Sequence, residues 1–101
     1  MKYRIDFLPE ASEDIKAIED WYILHFSIDS AKRVKNTITG ALRRLETFPE
    51  SGSIPKDDWI REQGFRMVIS GHFIAFYKII GDAVYVYHIA DSRMDYRRLF
   101  D

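Results

Sequence analysis

The chain contains no cysteine, which excludes disulfides and thiolate metal sites. Nothing in it requires an oxidising compartment. It also lacks a net basic balance: 15 Lys and Arg stand against 16 Asp and Glu, a formal charge of −1. A protein of this balance does not attract nucleic acid through its overall field, so any such contact must come from a local patch. No apolar run approaches the roughly 18 residues of a membrane span. The opening Met1-Lys2-Tyr3-Arg4-Ile5-Asp6 lacks the long apolar core of a secretory signal. The expected location is therefore the cytoplasm, with no membrane contact.

What is present is the material of a small packed core. A length of 101 residues suits one domain, 1–101, and no linker or internal repeat divides it. Apolar residues make up 47% and charged residues 31%, so the chain should fold as a globule. Aromatics reach 15%, and large rings give a short chain much buried area per residue.

Periodicity supplies the elements. Tyr3, Ile5 and Phe7 alternate with Lys2, Arg4 and Asp6, which predicts a strand over 2–7. Pro9 follows with Glu10, Glu13 and Asp14, a proline and acids suited to a first helical turn. Ala11, Ile15, Ile18, Tyr22 and Phe26 then recur at steps of three and four, giving an amphipathic helix over 9–26. After Ser27-Ile28-Asp29-Ser30, with Asp29 or Ser30 as a cap, Ala31, Val34, Ile38, Ala41, Leu45 and Phe48 mark a second helix over 30–48. The short connection makes an antiparallel helical hairpin.

The stretch 49–55 reads as a loop from its proline, glycine and serine content. Residues 56–62 fit either a short helical turn or an extended connection. From Phe65 onward the pattern is strand-like: 65–69, then 72–80, then 83–90, punctuated by Ser70-Gly71 and Gly81-Asp82. The middle run is apolar on both faces apart from His72 and Lys78, as a central strand is. An arginine-rich tail, 91–101, ends the chain with Leu99 and Phe100 as possible anchors. The order strand, helix, helix, three-strand meander is an α+β architecture, with the hairpin covering one face of the sheet.

That order, in about a hundred residues, resembles the RelE/ParE toxin superfamily. The stretch Phe7-Leu8-Pro9-Glu10-Ala11 to Ile15 is similar to the family's opening. Leu45-Glu46-Thr47-Phe48-Pro49 resembles its end of the second helix. Phe65-Arg66-Met67-Val68-Ile69 with Phe73 to Ile79 resembles its central hairpin, and Val84 to Ile89 followed by Asp91-Ser92-Arg93-Met94-Asp95-Tyr96 its last strand and arginine-bearing tail. The resemblance implies a toxin neutralised by a cognate antitoxin, as in plasmid-stabilisation systems, with no cofactor and no metal. RelE-like members cut messenger RNA on the ribosome, whereas ParE-like members poison DNA gyrase. Fold alone does not choose between them.

Metal-free RNA cleavage, as an endoribonuclease of the mRNA interferase type performs it, needs a base, an acid and cations around one phosphate. Arg93 matches the family's arginine just after the last strand, and a guanidinium can grip phosphate with two hydrogen bonds. Arg66 matches a basic position on the first meander strand. His88 has the near-neutral pKa of a proton carrier, and Tyr96 can supply a phenol or stack on a base. These four form the catalytic set that the resemblance implies, with Arg97, Arg98 and Lys78 as phosphate binders. Each also has a structural reading. Arg97 and Arg98 suit solvated tail charges, His88 suits a hydrogen-bonded strand residue, and Tyr96 with Leu99 and Phe100 suits a tail anchor. RelE-like nucleases carry an arginine in the second meander strand where this chain has Ile74, and are usually strongly basic. Both departures favour the ParE-like branch, yet the arginines and histidine clustered around the end of the last strand tip the expectation to ribosome-dependent messenger RNA cleavage; a ParE-like gyrase poison and a non-toxic member acting only with its antitoxin are the alternatives. Trp21, Trp59 or Phe26 could contribute to an antitoxin groove.

Overall fold

The computed structural model describes residues 2–93 and 95–100; Met1, Met94 and Asp101, which the tail motif and the chain ends include, lie outside it. Strand β1 (Arg4–Phe7) leads into helix α1 (Pro9–His25), helix α2 (Ile28–Arg43) and a single 3₁₀ turn, Arg44–Glu46. A second turn, Pro49–Ser51, and the short helix α3 (Asp58–Glu62) precede strands β2 (Arg66–Ser70), β3 (Phe73–Ile80) and β4 (Ala83–Asp91). A 3₁₀ tail, Tyr96–Phe100, closes the chain. The sheet runs β1-β4-β3-β2, with β1 parallel to β4 and the other pairs antiparallel. The α+β expectation holds, with a mixed four-stranded sheet.

The first helix starts as read, with Pro9 in its first turn. The second starts earlier. Ser27, rather than Asp29 or Ser30, is its cap, accepting a hydrogen bond from the Ser30 N–H at 3.0 Å. A Ser cap in extended backbone frees Ile28 and Asp29 to be helical. The ambiguous stretch 56–62 resolves into α3 because Asp57 accepts from the Ile60 N–H at 3.0 Å.

Alternation along β3 divides the protein into two cores. Ala75 and Tyr77 face the hairpin and pack with Ile15, Ile38, Leu42 and Leu45. Ile74 and Phe76 face the other way, into a second cluster with Ile60, Phe65, Met67 and Ala90. The hairpin covers the first face as expected; α3 and the tail cover the second, where Tyr96, Leu99 and Phe100 lie against the cluster.

Strand β1 reaches only to Val86 of its neighbour. Beyond that point β4 has an open edge, and an orphaned N–H there would be costly. Asp14 from α1 supplies the acceptor: its carboxylate takes the Ile89 N–H at 3.0 Å. The acidic first turns of α1 thus do more than favour a helix start.

Candidate functional site

The six basic residues and the tyrosine named from the sequence do not converge. Arg66 sits opposite Tyr77 in the β2–β3 register, and its Nη1 donates to the carbonyls of Glu50 at 3.1 Å and Gly52 at 3.3 Å. Tyr77 works on the same loop. Its hydroxyl donates to the Pro49 carbonyl at 2.6 Å and accepts from the Gly52 N–H at 3.0 Å. Burial pushes this phenol above its ordinary range. A Cβ on Gly52 would collide with the Tyr77 hydroxyl, so only glycine fits there. Arg66 is part of the tie that holds the 49–52 loop to the sheet.

Arg93 lies elsewhere. Asp91 pairs with Phe73, four residues along β3 from Tyr77, so about 13 Å of strand separates the two arginines' anchor points. The Arg93 guanidinium is clamped side-on by Asp91, with Nε to Oδ1 at 2.9 Å and Nη2 to Oδ2 at 2.6 Å. The Arg93 side-chain bonds, helped by its backbone N–H at 2.8 Å, hold the Asp91 carboxyl down at about 2. The same pairing raises the Arg93 pKa.

His88 pairs with Phe76 on the second face. Its Nδ1 stands 3.3 Å from the Asp14 carboxylate, and its ring meets the Phe100 ring edge-on at 5.2 Å. Tyr96 packs against Phe76 at 5.2 Å. Lys78 lies over Phe65 and Tyr87, at 4.6 and 5.4 Å from the ring centroids. Arg97 covers Trp59 at 4.3 Å with its Nε 3.5 Å from Asp57, and Arg98 pairs loosely with Asp95 at 3.6 Å on the surface. His88, Tyr96, Lys78 and Arg97 therefore share the second face, but as packing partners of the tail and α3. Arg66 and Arg93 are not with them.

A different surface stands out at the hairpin tip. Trp21 stacks on His25 at 4.2 Å and meets Tyr22 at 5.1 Å; Tyr22 in turn reaches Phe26 at 5.6 Å and Phe73 at 6.4 Å. Leu24 and Phe26 are 81% and 66% exposed, a degree that rings and leucines at a helix end reach only where something else covers them or the surface stays sticky. A groove of about 260 Å³ opens beside the tip between Trp21, Tyr22 and Phe73, with Asp91 and Arg93 at its rim. The sequence put Tyr22 in the core stripe and left Phe73 in a strand. Neither was named as a surface residue, because only the tertiary crossing of α1 over the end of β3 brings them together. The clamp on Arg93 did have a sequence signal, the two-residue spacing of Asp91 and Arg93.

The fold matches solved structures from toxin–antitoxin systems. The chain is similar to a protein of the chromosomal ParDE system from P. aeruginosa at 17% identity, covering 89% of this chain and 96% of that one with a TM-score of 0.76. It is similar to a chain of the RelBE2 toxin–antitoxin complex from Mycobacterium tuberculosis at 15% identity, 90% and 99% coverage and a TM-score of 0.58. A chain of the E. coli DinJ-YafQ toxin–antitoxin complex aligns over 100% of both at 14% identity, with a TM-score of 0.55. At such identities the likeness shows the fold alone. No curated protein matches by sequence. Residues 5–96, however, match the family model described as ParE toxin of type II toxin-antitoxin system, parDE. The chain belongs to that family and is the toxin component of a type II toxin–antitoxin system.

Proposed function

We propose that this toxin acts by binding, as a ParE-like inhibitor of DNA gyrase, rather than by cutting RNA. The observation that carries this reading is the scattering of the basic residues. A metal-free nuclease needs its proton carriers and cations within hydrogen-bond reach of one phosphate. Here Arg66 is tied to the 49–52 loop, Arg93 sits beside Asp91 at the other end of β3, and His88 and Tyr96 pack on the opposite face of the sheet. A binding inhibitor needs only a surface, and the exposed tip of the helical hairpin is one. The missing cation at Ile74, buried against the second core, and the near-neutral charge support the same reading. Ribosome-dependent messenger RNA cleavage is the competing activity.

The test is induction of the chain without antitoxin, followed within minutes by transcript mapping and a DNA-break assay. Intact transcripts with double-strand breaks, and inhibition of purified gyrase by purified toxin, are expected. Transcripts cut at codon positions only while being translated would overturn the reading.

A further inference from the structure

We propose that the crossing of Tyr22 and Phe73 is the seat of the antitoxin, and that it takes an acidic, apolar segment whose carboxylates reach Arg93 and Arg33. The inference rests on the chain's place in a toxin–antitoxin family and is independent of which target the toxin attacks.

Three grooves meet at this crossing. The first, already described, has Trp21 as its wall and Arg93 at its rim. The second, about 280 Å³, runs from Tyr22 past Phe26 and Val34 to Arg33. The third, about 230 Å³, runs from Phe73 past His72 to the same Arg33. Together they form one branched apolar depression with a guanidinium at each end. Its aromatic walls are the kind of anchor on which binding energy concentrates.

The charges say what fits. Asp91 is the one carboxylate lining the three grooves among the described residues, and it is already spent on Arg93. Asp91 grips the Nε and Nη2 side, and the Nη1 end of the Arg93 fork makes no hydrogen bond among the described residues. A guanidinium has five donors in a fixed plane and can hold a second carboxylate end-on. Its rotamer is already fixed by Asp91, so little further ordering entropy is lost on binding. Among the described residues the Arg33 side chain makes one contact, 3.3 Å from Nη2 to the Ser30 hydroxyl, and no acidic residue other than Asp91 lines these grooves. Two under-used cations flanking an apolar depression are complementary to apolar side chains flanked by Asp or Glu.

Nucleic acid fits less well. The depression is walled by apolar and aromatic side chains with single guanidiniums at its ends, and is not lined by the run of cations that follows a phosphate backbone.

The experiment measures binding of the protein encoded beside this chain to toxin separated from the co-expressed complex, by calorimetry at two salt concentrations. The variants are Arg93→Gln, Arg33→Gln, the double variant and Trp21→Ala, each with its circular dichroism and Tm compared with wild type. Each arginine change is expected to weaken binding about tenfold, in the range for loss of a charged hydrogen bond, and Trp21→Ala at least as much through the lost aromatic wall. The double variant should also lose most of the salt dependence. Folded variants that bind within twofold of wild type would overturn the proposal. So would a toxin dimer that Trp21→Ala dissociates, since the depression would then belong to a second copy. An oligonucleotide whose binding is lost in Arg93→Gln while antitoxin affinity is kept would overturn it as well. No gyrase is present in the assay, so failure of the gyrase reading leaves these results unchanged.

Discussion

Replacing Tyr77 by Phe removes one oxygen and tests whether the loop tie is structural. That hydroxyl donates to Pro49 and accepts from Gly52, and its ring is fully buried. Phenylalanine fills the same space, so packing changes little. Two hydrogen bonds are lost, each worth about 0.5–1.5 kcal/mol net, and two backbone groups lose a partner, so the expected cost is about 2–3 kcal/mol. For a domain of this size that lowers the Tm by about 10–20 °C. Arg66→Met acts on the same segment through Glu50 and Gly52, so the double variant should lose less than the sum of the singles. Urea unfolding followed by circular dichroism measures all three. The pH dependence gives a second check. Burial raises the folded-state pKa of Tyr77, so the unfolded chain releases this proton first. The stability it contributes is full below about pH 10 and is lost as pH rises through the folded value. The Phe variant should lack that alkaline loss. A cost below about 0.5 kcal/mol in Tyr77→Phe would refute the reasoning. Arg66→Met that unfolds at the same urea concentration as wild type but no longer inhibits growth would return Arg66 to a functional role.

Two further outcomes are expected. Asp91 should titrate near 2 in carboxyl-resolved NMR and return towards 3.8 in Arg93→Ala; because its folded pKa is depressed, the clamp's contribution is present above the unfolded value and lost as pH falls from about 4 to 2. His88→Gln, which leaves the tail packed through Phe65 and Phe76, should keep growth inhibition at equal levels of folded protein, and an inactive folded variant would point to proton transfer by His88.

Repeating local patterns made most of the fold legible. Steps of three and four gave both helices, and period-two runs with Gly71 and Gly81 gave the meander, where both glycines adopt the positive φ of tight turns. Boundaries set by one side chain were harder: Ser27 outcompeted Asp29 and Ser30 as a cap, and five residues of α3 carry too little periodicity to read. The candidate site was legible only in its ingredients. Arg66, His88 and Arg93 were visible as cations and a proton carrier, but their partners are Glu50, Asp14 and Asp91. Apart from Asp91, these come from distant parts of the chain, and no spacing rule brings Asp14 to a strand 74 residues later. The tip surface was hidden for the opposite reason. Tyr22 belongs to an apolar stripe that looks like core, and it is left half-buried beside a groove where α1 crosses the end of β3 at Phe73.

The pairing of β1 with β4 has a consequence for synthesis. Arg4 lies opposite Ala83, so the first strand made has no neighbour until the last one exists. Closing so long a loop is slow and entropically costly compared with forming the hairpin of α1 and α2. On the ribosome the helices can form early, yet the edge of the sheet stays open until β4 has left the exit tunnel. A chain cut short anywhere before Ala83 loses the partner of its N-terminal strand as well as the contact between Asp14 and Ile89. Strands from distant parts of the chain thus enter the sheet together, once β4 has been made.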